Sequence, residues 1–239
     1  FETSPVGLYQ STPEGRYTDV NPAFARILGY DTPDEIVREI SDIGAQLYAN
    51  PENRETLTRL VAEQGEVSGF EAKAKRRDGQ IIWVSINAVA VRDAVGAIRM
   101  YQGAITDITE RKRAEQSRDV ALTKYRTLFD SFPLGITVSD SEGAILEANP
   151  IAETLLGIPR EEHLQRTLDV PVWRIVRVDG TPMPPEEYPS VPALKERRGL
   201  HRAEMGVVKP DGMVAWISVT AAPWPLSGCG VVVTYGDIT

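Results

Sequence analysis

The chain has 239 residues, 42% of them apolar and 25% charged, an ordinary balance for a globular protein of one or two domains. Its net charge of −8 argues against nucleic acid, which needs clustered Lys and Arg, and no apolar run approaches the roughly 18 residues of a spanning helix, so no direct membrane insertion is expected. The single cysteine, Cys229, rules out an intramolecular disulfide and suits a reducing, cytoplasmic compartment.

Gly7 to Gln10 and Arg16 to Val20 are short β runs around the turn residues Pro13-Glu14-Gly15. Asn21 is placed to cap a helix with Pro22 at its first position. Ala23, Phe24, Ile27 and Leu28 form the buried stripe of that helix, and Gly29 stops it. After a variable middle, Pro51 to Gln64 carries Leu57, Leu60 and Val61 at helical spacing. Three β runs follow, Val67 to Arg76, Ile81 to Val91 and Ile98 to Ile105, the first two joined by the hairpin turn Arg77-Asp78-Gly79-Gln80. The order β-β-α-α-β-β-β predicts an α+β domain over 1–109, a five-stranded antiparallel sheet with helices on one face.

Asp107-Ile108-Thr109 leads from the last strand into charged sequence. Asp107 is expected to cap the next helix, with Glu110 reaching back in capping-box fashion. That helix should run from Thr109 to about residue 130, roughly 30 Å at 1.5 Å per residue, with 110–128 as a linker between domains. Ala121, Tyr125, Leu128 and Phe132 make an apolar seam in its second half, and Arg111 and Arg118 fall on the same seam in the first. The helix reads either as a plain spacer or as a signalling helix with deliberately marginal pairing.

A second domain over 129–239 repeats the order. Ile136 to Asp140 and Ile145 to Ala148 flank Ser141-Glu142-Gly143, and Pro150 to Leu156 is a helix. Pro171 to Pro192 is expected to run mainly as loop, ahead of a short helix at Ala193 to Arg198. Leu200 to Val208, Val214 to Trp224 and Val231 to Tyr235 complete five strands. The match is also literal at about 130 residues' separation: Pro5-Val6-Gly7 with Pro133-Leu134-Gly135, Asn21-Pro22 with Asn149-Pro150, Leu28-Gly29 with Leu156-Gly157, Asp78-Gly79 and Trp83 with Asp211-Gly212 and Trp216, and Asp107-Ile108-Thr109 with Asp237-Ile238-Thr239.

The Asn-Pro at the first helix, the Asp-Gly hairpin followed by Trp, and the closing Asp-Ile-Thr resemble PAS domains, and the resemblance covers nearly the whole chain. Tandem units of this kind are similar to the sensory regions of histidine kinases of two-component systems and of cyclic-dinucleotide signalling enzymes. It implies a sensor or transmitter module covalently linked to an output domain, a kinase or a cyclase/phosphodiesterase. It also implies a parallel homodimer through the linker helix. The opening at Phe1, without Met or signal peptide, reads as part of a longer chain.

PAS folds hold small molecules between sheet and helices, so apolar residues there line a pocket or fill a core. In the first domain Phe24, Leu28, Leu47, Leu57, Phe70 and Ile86 read as core. In the second, Trp173, Trp216, Trp224, Tyr235 and His201 form an aromatic set with polar tips that suits a bound molecule, and Arg174 beside Trp173 suits an anionic one. The signal-coupling residues are Asp107, Thr109, Glu110, Asp237 and Thr239. Neither copy has the Asn-Cys-Arg of flavin photosensors, and no His lies on the helix that carries the haem ligand in haem PAS domains. A flavin photoadduct and haem are therefore not expected, and the cofactor is unknown. His163 and His201 read as ordinary surface or core histidines, and two His with one Cys make no metal cluster. No Gly-rich phosphate loop, Gly-x-Ser-x-Gly elbow or His-Glu-x-x-His is present, so this segment is read as a non-enzyme.

Overall fold

A computed structural model describes residues 2–168, 174–209, 212–225 and 228–239. The chain divides into two compact units, Phe1–Asp119 and Val120–Thr239.

In the first unit β1 (Gly7–Ser11) and β2 (Tyr17–Val20) are followed by α1 (Pro22–Leu28), α2 (Pro33–Glu39), α3 (Ile43–Leu47) and α4 (Glu52–Gln64), then β3 (Glu66–Lys75), β4 (Ile81–Arg92) and β5 (Ile98–Asp107). The sheet order is β2-β1-β5-β4-β3, antiparallel throughout. Its strands alternate as a sheet with one buried face should. On β4, Ile82, Val84, Ile86 and Ala88 are buried while Trp83 is on the other side. Phe24, Leu28, Leu47, Leu57 and Ile86 are core, and Phe70 packs at its margin.

Helix α5 (Thr109–Ser131) is one unbroken element. The second unit then has β6 (Gly135–Asp140), β7 (Ile145–Ala148), α6 (Pro150–Leu156), the single turn α7 (Arg160–His163), β8 (Arg174–Val176), α8 (Ser190–Lys195), β9 (Leu200–Val208), β10 (Val214–Pro223) and β11 (Cys229–Asp237). Its sheet order is β7-β6-β11-β10-β9-β8, so this copy has six strands where five are expected from sequence. The extra strand is β8, inside the segment expected to be mainly loop. It pairs antiparallel with β9, with Val176 opposite Gly206. A Cβ at Gly206 would come within 2.8 Å of the Val176 side chain, so the missing side chain makes room for the added edge.

The Asn-Pro repeat has a structural cause. Asn149 Oδ1 accepts from the backbone N–H of Ala152 and of Ile136, at 2.9 and 2.8 Å, while its Nδ2 donates to the carbonyls of Phe129 and Leu134. One buried amide therefore caps α6 and ties it to β6 and to the last turn of α5. Asn21 likewise accepts from Phe24 and Leu8 and donates to Val6. The glycine in each Pro-x-Gly is needed too: a Cβ at Gly7 or Gly135 would lie 2.9 Å from the Cα of Phe24 or Ala152, where the first helix packs on the first strand.

Candidate functional site

The two units differ between sheet and helices. In the first, Tyr9, Tyr17, Tyr48 and Arg54 line a void of about 10 Å³, room for about one water. Tyr17 packs edge-on against Tyr9 and Phe24, Tyr9 and Phe24 are tilted to each other, all at 5.1–5.8 Å, and the buried Arg54 sits 5.6 Å from the centre of the Tyr101 ring. That space is filled by the chain's own side chains.

In the second unit the corresponding space is a cavity of about 100 Å³. Met205, Val207, Val219, Val233 and the edge-strand Ile175 form its sheet wall, and Leu156, Ile158 and Leu168 close it from the other side. Among these apolar walls stand His163, Arg166, Tyr188, Ser190 and Tyr235. The Tyr235 hydroxyl is 2.9 Å from the Thr137 hydroxyl, and burial pushes its pKa up. His163 is only 1% exposed, yet neither ring nitrogen has a hydrogen-bond partner. Burial first, and the nearby Arg166 charge second, push its pKa down to about 4, so the ring is neutral at pH 7. Burial also lowers the Arg166 guanidinium, opposed by the charge of Glu162.

Of the residues singled out from sequence for ligand contact, Tyr235 lines this cavity. Trp216 lies on the opposite face of β10 from the buried Ile217 and Val219. Trp224 borders a separate surface recess with Arg197 and Cys229. Arg174, on the edge strand β8, and His201, on β9, are exposed. Trp173 lies outside the described residues. Among the described residues the aromatic set is not gathered into one site; for Trp216 the cause is that alternate residues of a strand point to opposite faces. His163 and Arg166 give little sequence signal: α7 is a single turn with Glu161 and Glu162, too short to show which face is buried.

In each unit the Asp-Ile-Thr segment is bonded to its own sheet, and in the first the register differs from the helix cap expected from sequence. Asp107 accepts from the N–H of Thr109, two residues on, at 2.8 Å; it therefore forms an Asx turn just before α5 instead of capping the helix itself. Among the described residues no hydrogen bond of Glu110 closes a capping box. The Thr109 hydroxyl accepts from the N–H of Trp83 at 3.0 Å, and Ile108 N–H donates to the Trp83 carbonyl. Thr239, Ile238 and Asp237 repeat these contacts with Trp216. In the first unit the first turn of α5 is further gripped: Lys112 and Arg111 pair with Glu71 at 2.5 and 2.7 Å, and Lys112 and Lys73 both stand over the Trp83 ring. Hydrogen bonds from Lys112 and Arg111 hold Glu71 below the usual carboxylate range. At the other end of α5 the Tyr125 ring stacks on Phe129 and its hydroxyl donates to Glu147 at 2.9 Å.

Two α+β units, each leaving its sheet through the same Asp-Ile-Thr grip and one carrying a lined cavity, define a tandem sensory module. A PAS domain family model matches residues 5–110 and a PAS fold model matches 129–239. The chain belongs to the PAS family, as two PAS domains in tandem. It resembles the sensor histidine kinase TmoS of Ectopseudomonas mendocina, 26% identical over 121 residues, which are 49% of this chain and 12% of that protein. It also resembles the sensor protein TdiS of Thauera aromatica, 30% identical over 48% of this chain and 21% of that protein. The C4-dicarboxylate transport sensor protein DctS of Rhodobacter capsulatus is 31% identical over 47% and 17%. The chain therefore spans about a fifth or less of the length of these relatives. Among solved structures, a sensory box histidine kinase/response regulator from Burkholderia thailandensis matches with a TM-score of 0.41 and 25% identity, covering 52% of this chain and 92% of that one. The PAS domain of a Colwellia psychrerythraea protein matches with a TM-score of 0.40 and 21% identity, covering 46% and 92%. No described helix is long and apolar enough to cross a membrane.

Proposed function

We propose that the second domain binds a small molecule in its cavity, that the first domain relays instead of sensing, and that the pair controls a covalently linked histidine-kinase output. One observation carries the division of labour: a cavity of about 100 Å³ with an unpartnered buried His163 in one domain, against about 10 Å³ in the other. The kinase output rests on the sensor relatives, and a cytoplasmic location goes with the single free cysteine. Native mass spectrometry of the tandem chain, together with xenon uptake followed by NMR, tests the assignment. A retained small molecule, or xenon shifts confined to the second domain, is expected. Xenon shifts in the first domain alone would overturn it.

A relay needs a partner for α5. Ala121, Tyr125, Leu128 and Phe132 remain an exposed seam, with Leu128 56% accessible, and apolar surface left in water costs about 25 cal/mol per Å². We assign this seam to a parallel homodimer. Ala121→Glu with Leu128→Glu alters two exposed positions, so sedimentation should show folded monomers; a dimer that persists places the interface elsewhere.

A further inference from the structure

Resting on the reading of the cavity as a ligand site, we propose that its ligand is a small uncharged molecule with one oxygen acceptor on an apolar body. The Tyr188 hydroxyl would donate to that oxygen, and the body would lie against Met205, Val207 and Val219.

Two hydroxyls on the cavity stand open. Tyr188 and Ser190 both line it, one from the stretch leading into α8 and the other as its first residue. Both residues are buried, at 5% and 8% exposure. Neither hydroxyl bonds to another group among the described residues, and neither is sealed from solvent as the His163 nitrogens are. Tyr235 differs, since its hydroxyl is already bonded to that of Thr137. A hydroxyl inside a protein ordinarily has a partner, so an open one on a cavity wall suits a molecule that enters from outside. Burial first, and the Glu186 charge second, push the Tyr188 pKa up; the phenol keeps its proton and donates.

The walls give a charged ligand no counterpart. No Asp or Glu lines the cavity among the described residues, which leaves a cation unpaired. Arg166 is already engaged within the chain, and the His163 nitrogens are sealed off, so neither is free to meet an anion. An ion would lose its hydration there without recompense, whereas a single uncharged oxygen loses far less and regains a hydrogen bond. The apolar side chains on both sides of the space favour a hydrocarbon body. Size completes the description: a cavity of about 150 Å³ holds benzene, so about 100 Å³ takes roughly four to six non-hydrogen atoms.

The test titrates the full tandem chain with butanone, isopentane, propionate and butylammonium, which are matched in size, by amide NMR in sealed tubes alongside xenon. Butanone should perturb residues 188–190 and 205–207 and bind at least about tenfold more tightly than either ion. Tyr188→Phe keeps the ring, so it should lower the affinity for butanone about fivefold and leave that for isopentane unchanged. An ion that binds as tightly as butanone overturns the uncharged assignment and leaves the ligand-site reading intact. Equal effects of Tyr188→Phe on butanone and isopentane overturn the role of the hydroxyl. Xenon entering while no other probe binds overturns the ligand class alone. Exclusion of xenon and every other probe overturns the ligand-site reading itself. Should Tyr188→Phe fail to fold, the infrared carbonyl stretch of bound butanone in the unaltered chain decides. It should lie lower than in hexane, and an unshifted band overturns the hydrogen bond.

Discussion

His163 and Asn149 are both buried polar side chains, but only Asn149 has its hydrogen bonds satisfied within the protein. For His163 the folded pKa, about 4, lies below the ordinary value of 6.5. The unfolded chain therefore binds the proton first, and stability rises with pH across that window. The contribution is complete above pH 6.5 and is lost as the pH falls toward 4. His163→Gln should flatten the pH dependence of the second domain's unfolding between these limits, as read by urea titration. Asn149→Ala is a different kind of loss. It strips partners from two N–H groups and two carbonyls at once and should cost about 3 kcal/mol or more, again by urea unfolding. The cap was legible from sequence at Asn21, and Asn149 was legible as its counterpart in the repeat. Its bond to the Phe129 carbonyl was not, because nothing local links positions 20 residues apart.

At the level of elements, local chemistry made most of the fold readable. Asn-Pro starts, glycine stops and the Asp-Gly hairpin each act within a few residues, so the boundaries of α1, α6 and the strand pairs follow from them. Strand β8 escaped because its Ile175-Val176 run is short and sits in a proline-rich setting; what makes it a strand is a distant glycine on β9. The cavity was hidden for a related reason: apart from Tyr235 on β11, its polar groups come from the single turn α7, the residues just after it, and the stretch leading into the first residue of α8. The α5 entry also belongs to this scale. Thr109→Val keeps the shape but removes the acceptor for the Trp83 N–H, and should cost about 1 kcal/mol of first-domain stability by urea unfolding. Glu71→Gln loosens ion pairs at an exposed site and should change stability little. If the linked output is the proposed histidine kinase, its effect should instead fall on signal output, measured as autophosphorylation in the intact protein. An unchanged output would show that the Glu71 grip is dispensable.

For the whole molecule, two separate hydrophobic cores predict two calorimetric transitions. Lowering the pH from 6.5 to 4 should move the second domain's transition through His163, and the His163→Gln chain should lose that part of the movement. A single transition that follows pH as one unit would contradict the assignment. Duplication gave both copies the same entry and exit chemistry while their interiors diverged. In the first, three tyrosines and Arg54 occupy the space that the second leaves open.

Sharing one side-chain oxygen has a consequence for solvent access. The amide protons of Ile136 and Ala152 belong to a strand and a helix, yet both rest on Asn149 Oδ1. A single swing of that side chain would release both together. In deuterium their protection factors should agree and fall in step as temperature rises, whatever the neighbouring amides of β6 and α6 do. Leu8 and Phe24, which share Asn21, should form a second matched pair. Widely different protection within either pair would mean that each amide opens through its own element and not through the shared asparagine.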